Sequence, residues 1–261
     1  MEKQELQTSI EQHNQLLLNI GTTLLESGAH CGRIDRNVRR IANAMDIDTE
    51  IFFDYSGMIL TTKFKNDPTV TSTHYKKVKG HFVHFDTLAD ISVFSWKVHE
   101  DKPSLNEVSE EFEEIASRPH LPRWQIVLGV GVACASLCVL SNGNWVDVMF
   151  SFFASMIGLI VRQEITKRRY NIMIAVTAAA FVTSMIVSLD VVYNLGASPE
   201  KALATSVLYL VPGVPLVNSV IDLIEGYVST SMQRGFYGGF LLLCIAVGMA
   251  FSILIFGIHN F

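Results

Sequence analysis

Trp124-Gln125-Ile126-Val127-Leu128-Gly129-Val130-Gly131-Val132-Ala133-Cys134-Ala135-Ser136-Leu137-Cys138-Val139-Leu140 runs for 17 residues without a charge. At a helical rise of about 1.5 Å per residue, such a run reaches about 25 Å, close to one hydrocarbon thickness of a bilayer. Three similar runs follow at Trp145–Val161, with Asp147 near its start, Ile172–Leu189 and Gly235–Ile258. Between the last two, Ala202–Ile224 is apolar but interrupted by Pro212-Gly213-Val214-Pro215. The expectation is an all-α polytopic membrane domain over residues 121–261, with five transmembrane helices, the fourth broken.

The charges divide in the same place. Residues 1–120 hold 19 of the 25 acids and 13 of the 20 bases; residues 121–261 hold 13 charged side chains in 141 positions. A soluble domain carries roughly 25% charge, so a single soluble globule is excluded. So is a disordered chain, which would be polar throughout. The soluble half is acidic and has no basic cluster able to track phosphates, which argues against a nucleic-acid partner. The start, Met1 to Gln7, has no apolar core, so no cleavable signal peptide is expected. Cys134, Cys138 and Cys244 lie in apolar runs and Cys31 stands alone, which is no disulfide framework.

Residues 1–120 read as an α+β domain. Leu6, Ile10, Leu17, Ile20 and Leu24 recur at helical spacing up to Ser27-Gly28, and Cys31, Ile34, Val38, Ile41 and Met45 form a second stripe. Glu50–Tyr55 and Met58–Phe64 read as a hairpin around Ser56-Gly57, with a third strand near Thr69–Val78. A helix over 82–99 follows, then an acidic helix capped by Ser104 and Glu107. Pro119 and Pro122 mark the linker.

Arg162, Lys167, Arg168 and Arg169 lie between the second and third spans, and Arg118 and Arg123 precede the first. The positive-inside rule puts these residues and the N-terminal domain in the cytoplasm. Five crossings would put Phe261 outside; a fourth segment that re-enters would return it inside.

The chemistry is expected at the break. Two prolines and a glycine remove donors and unwind the helix, and irregular backbone at membrane depth is tolerated only inside protein or beside a cavity. The restarted helix presents free N–H groups and a partial positive charge to an anionic group. Backbone from Pro212, Gly213, Val214 and Pro215 is therefore the expected carboxylate contact. Asn218, Asp222 and Glu225 follow on one face, with Asn218 orienting the solute. Asp222 is a candidate for proton exchange, as are Glu225 and the other intramembrane acid, Asp147. The alternative is a packing kink whose acids sit near an interface.

No metal or cofactor is expected. His81, His84 and Asp86 are too few for zinc, His30 beside Cys31 is not a catalytic pair by adjacency, and there is no Walker loop. Stripes of small residues (Gly129, Gly131; Ala178–Ala180; Gly235, Gly239, Gly248) suit close helix packing. Five spans without internal duplication point to a missing partner, and a homo-oligomer is a further option.

These residues resemble the threonine/serine exporter family. The resemblance lies in Ser27-Gly28-Ala29 with the Arg33–Met45 helix, Pro122-Arg123-Trp124, and above all the Leu210–Asp222 segment. Ile59-Leu60-Thr61-Thr62, Ser141–Trp145, Phe152–Ser155 and Arg162-Gln163 are similar to the larger subunit of bacterial inner-membrane succinate exporters. The resemblance implies a cytosolic domain plus half of a ten-span transporter, with a separate small membrane subunit supplying the rest. It implies secondary export of a small carboxylate, succinate-like first and threonine or serine as the alternative. Many members carry a base just before the Asp of this segment; here it is Ile221. A membrane-anchored sensor or hydrolase acting through residues 1–120 is the reading from another class, and no matched acid, base and nucleophile can be assembled for it.

Overall fold

The computed structural model describes residues 2–78, 80, 82–119 and 121–256; His81 and Phe261 lie outside them. The chain forms two compact units. One comprises Met1–Pro119 with Val214–Phe236, the other His120–Gly213 with Tyr237–Phe261.

In the first unit, helices α1 (Glu2–Glu26) and α2 (Cys31–Ala44) precede a sheet of β1 (Ile47–Asp54), β2 (Gly57–Phe64) and β3 (Thr71–Lys77). Its order is β1-β2-β3, antiparallel throughout, with Ile51 opposite Leu60 and Leu60 opposite His74. The hairpin turn falls at Tyr55-Ser56, and Gly57 pairs with Asp54. That is one residue earlier than the composition suggests, because Gly57 lies flat against β3, where a Cβ would sit 2.5 Å from the Lys76 carbonyl oxygen. The expected helical stripes of α1 and α2 are buried at Ile10, Leu17, Ile20, Leu24, Ile34, Val38 and Ile41, and they form one core with Met58 and Leu60 of the sheet. Asn14 fastens α1 to the sheet edge. Its Nδ2 donates to the Leu60 and Ser72 carbonyls, each at 2.9 Å, and to Thr62 Oγ1 at 3.1 Å. Helix α3 starts at Phe85 and runs to Asp101, and α4 covers Leu105–Ala116. Glu107 accepts from the Ser104 N–H at 2.8 Å, the reciprocal arm of the expected cap.

The second unit holds α5 (Arg123–Leu140), α6 (Trp145–Lys167), α7 (Ile172–Tyr193), α8 (Pro199–Ser206) and a 3-10 turn at Leu208–Leu210. The chain continues through α9 (Gly213–Ile224), which from Val214 onward belongs to the first unit, and α10 (Val228–Phe256), which belongs to the first unit up to Phe236 and to the second from Tyr237. Among the described residues four helices, α5, α6, α7 and α10, are long and apolar enough to cross a membrane, or five spans result if the bent pair counts as one. The fourth apolar run is bent by 64° between Pro199–Leu210 and Gly213–Ile224. Val211, the residue before Pro212, is extended (φ −61°, ψ 125°), as the proline ring requires of its predecessor.

Close packing in this unit uses small residues, as lipid-surrounded helices must. A Cβ at Gly131 would lie 2.6 Å from Met156 Cγ, and one at Gly248 would meet the Thr177 carbonyl and Ala180. Gly129 and Gly239 have nothing within 4 Å, so their smallness serves no contact among the described residues. Buried hydroxyls pair across helices, Ser151 with Thr205 at 3.1 Å and Ser188 with Ser252 at 3.2 Å. Leu140, Leu243, Phe251 and Leu254 turn outward, an arrangement suited to lipid.

Candidate functional site

Three polar clusters interrupt this packing. The first, within the first unit, gathers the polar face of α9. Gly28, at φ +91°, turns the chain between α1 and α2 in a conformation that suits glycine. Four side chains from α9, the turn after it and α10 hold this segment and the start of α2. Asn218 Nδ2 donates to the Gly28 carbonyl at 2.8 Å, and Arg234 donates to the Ala29 carbonyl at 2.9 Å. Asp222 Oδ1 accepts from the Cys31 N–H at 2.7 Å, and Glu225 pairs with Arg36 and His30, each at 3.0 Å. Two carboxylates thus meet the N-terminus of α2, where unpaired N–H groups and the helix dipole favour negative charge.

Asp222 is fully buried, and its Oδ2 lies 3.1 Å from Arg234 Nη1. The angle falls outside hydrogen-bond geometry, so both atoms lack a hydrogen-bond partner; at that distance the charges still pair. His30 Nδ1 lies 3.0 Å from Glu225 and 3.3 Å from the Arg33 N–H. The two contacts need opposite roles of one nitrogen. The shorter, charged one takes precedence, which puts a proton on Nδ1. Burial works against the Glu225 charge, but its bonds to Arg36 and His30 outweigh that and hold its carboxyl below the usual carboxylate range.

His30, Asp222 and Glu225 offer ligand atoms within 4.8 Å of one another. Arg234 and Arg36 already neutralise the two acids, so a cation there would face two guanidinium groups. Burial, more than any neighbouring charge, pushes the Cys31 thiol up to about 12. It is therefore a thiol at neutral pH and a poor nucleophile.

The second cluster lies in the second unit, where α6 begins. Asn144 and Asp147 cap the helix reciprocally: Asn144 N–H donates to Asp147 Oδ2 at 2.8 Å, and Asp147 N–H donates to Asn144 Oδ1 at 2.9 Å. Asp147 Oδ1 accepts from the Ser198 N–H at 3.4 Å. Asp190, near the end of α7, accepts from the Gly196 N–H at 2.6 Å. Both acids are fully buried.

The third cluster surrounds Arg162 on α6. Gly158, one turn earlier, leaves room for the Thr183 and Tyr209 hydroxyls, which lie 3.1 Å apart and which a Cβ would strike. Arg162 is partly buried, and its electrostatic neighbours are the Tyr209 and Tyr237 phenols. Among the described residues no carboxylate pairs with it.

Of the residues expected at the break, Asn218, Asp222 and Glu225 do converge, and what they meet is the Gly28–Arg36 backbone and side chains. Gly213 is exposed, with nothing within 4 Å of a Cβ there. Pro212 is buried; Val214 and Pro215 are half-buried in the first turn of α9. Asp147 is joined by an acid that the sequence reading passed over, since Asp190 reads as the start of a loop. Arg162 likewise reads as a loop charge, although its helix continues to Lys167.

The ThrE family model, "Putative threonine/serine exporter", matches residues 15–256. The Escherichia coli protein named "Probable succinate transporter subunit YjjP" is 30% identical over 257 residues, covering 94% of this chain and 95% of its own length. Its namesake in Klebsiella aerogenes is 29% identical over 247 residues, with the same coverage, 94% and 95%. A "Probable threonine/serine exporter" of Mycobacterium tuberculosis is 23% identical over 243 residues, covering 91% of this chain and 45% of its own. No solved structure matches. With four or five candidate spans and a family match over nearly its whole length, the chain is a multi-pass membrane protein that belongs to the ThrE threonine/serine exporter family.

Proposed function

We propose that this chain is one subunit of a two-component secondary exporter of small carboxylate metabolites. A succinate-like dicarboxylate is the first choice and threonine or serine the second. The observation that carries the reading is Arg162. A guanidinium on an apolar helix, with two phenols and no carboxylate as neighbours among the described residues, is suited to receive an anion. The planar fork of arginine suits a carboxylate, and phenol hydroxyls supply further donors. The exposed start of α9, with backbone at Pro212, Gly213, Val214 and Pro215, is a second place for anionic contact, because its first N–H groups have no partner inside the helix.

Asn218, Asp222 and Glu225 are assigned a coupling role. They tie α9 to the turn at Gly28–Cys31, so a shift in that turn reaches the break. Asp147 is assigned to proton coupling. Two relatives are named as subunits of a succinate transporter, which favours a separate small membrane subunit as partner. This chain spans 45% of the Mycobacterium exporter it matches. The loop bases at 167–169 favour a cytoplasmic N-terminal unit in the inner membrane of a bacterium.

The test is efflux of labelled succinate and labelled threonine from cells carrying the chain alone, with a neighbouring small membrane protein, or neither. Efflux that needs both proteins is expected, with succinate leaving faster. Equal retention of both solutes in all three strains refutes the proposal.

A further inference from the structure

Asp147 and Asp190 approach each other around Gly196. A Cβ built on Gly196 would strike Asp147 Oδ1 and lie 2.7 Å from Asp190 Oδ2. Both oxygens are therefore within 2.7 Å of one point, and the carboxylates stand inside the ~4–6 Å over which like charges resist joint ionisation. Three of the four oxygens accept backbone N–H groups: Asp147 Oδ2 from Asn144, Asp147 Oδ1 from Ser198 and Asp190 Oδ1 from Gly196. The fourth, Asp190 Oδ2, is buried without a hydrogen-bond donor, on the side of Gly196 that Asp147 Oδ1 also approaches.

Two ionised carboxylates are acceptors only, so neither can donate to the other unless one of them is protonated. No basic side chain forms an ion pair with either acid among the described residues. The titratable group beside both acids is Cys138 of α5, and Lys201 of α8 neighbours that thiol. Lys201 Nζ is turned to the Asn142 carbonyl at 3.0 Å, and Cys138 is a buried thiol.

We propose that Asp147 and Asp190 form a dyad that binds one exchangeable proton, carried on Asp190 Oδ2 and donated to Asp147 Oδ1. A metal cation is the less suitable occupant. The N–H groups of Asn144, Gly196 and Ser198 already point at the carboxylates and would oppose it. A buried acid pair that takes up and releases one proton is the chemistry of a coupling site. The inference extends the Asp147 assignment by naming its partner and its ligand. It does not depend on which solute is carried or on Arg162.

The test is infrared spectroscopy of the purified full chain in detergent at neutral pH, in H₂O and in D₂O. The wild type is expected to show a carboxylic-acid carbonyl band that shifts in D₂O and disappears at alkaline pH. Asp190→Asn and Asp147→Asn are each expected to lose the band, because the remaining carboxylate keeps its backbone N–H donors and no longer faces a like charge. Absence of the band in the wild type overturns the proposal, as does its survival in both variants. A wild-type band that added sodium removes at constant pH assigns the site to a metal cation and overturns the proton reading. The wild-type measurements decide the matter even if a variant fails to fold.

Discussion

Removing either charge of the Asp222–Arg234 pair should be far more damaging than removing both. The two side chains are 0% and 4% exposed, so a single substitution, Asp222→Leu or Arg234→Met, strands the opposite charge in a dry site. Breaking a buried pair in this way costs about 3–5 kcal/mol, whereas replacing both partners by apolar groups is often close to neutral. The double variant still loses the Asp222 bond to the Cys31 N–H and the Arg234 bond to the Ala29 carbonyl, each worth about 1 kcal/mol. It should therefore be about 2 kcal/mol less stable than the wild type, where additivity would demand about 6–10 kcal/mol. At about 2–4 °C per kcal/mol for a chain of this size, each single variant should melt roughly 10 °C lower and the double only about 4–8 °C lower. Thermal unfolding of the four purified proteins in one detergent gives the cycle. If the double variant falls by the sum of the singles, the two charges do not interact, and the account of what fixes α9 to the turn at Gly28–Cys31 is wrong.

Glu225 gives a pH signature. Its carboxyl is held below the usual range by Arg36 and His30 despite partial burial, so it adds stability above the unfolded pKa of about 4.3 and loses it as pH falls through the lower folded value. Partial exposure limits the effect to about 0.5–1 kcal/mol; Glu225→Gln should flatten the acid limb of a Tm-versus-pH curve between about pH 5 and 3, and an unchanged limb refutes the pairing. Cys31, pushed up to about 12 by burial, should react with a maleimide at neutral pH at least about 100-fold more slowly in the folded than in the unfolded protein. Mass spectrometry of timed samples reads this, and rapid native labelling of Cys31 contradicts its placement.

Much of the architecture is legible because apolar length is a strong signal. The run from Trp124 to Leu140 has one sensible reading, and the stripes of α1 and α2 repeat at a helical period. The bend at Pro212–Pro215 follows from two missing donors and a constrained predecessor. Element ends were harder to read. Gly57 suggests a turn, yet close contact with β3 recruits it into a strand, and α10 begins at Val228 because polar residues such as Gln233 and Arg234 continue the helix before the apolar run starts. The site residues were legible as residue types and less so as partners. Asn218, Asp222 and Glu225 share a face by spacing alone, but spacing does not reveal that the face meets Gly28 and Cys31, some 190 positions away in sequence. Asp190 and Arg162 were missed for one reason: each lies near the end of an apolar run, where a charge ordinarily meets water. Only the tertiary fold turns Asp190 onto Gly196 and Arg162 toward Tyr209.

The account rests most directly on Arg162 as the receptor for a carboxylate. Proteoliposomes holding the chain with the proposed small membrane partner should release labelled succinate. Arg162→Gln should lower that rate at least about 10-fold, as expected when a charge-assisted bidentate contact worth about 1.5–3 kcal/mol is lost. Arg162→Lys should keep part of it, with the Tm of all three proteins within a few degrees. Undiminished succinate release by Arg162→Gln would contradict the account.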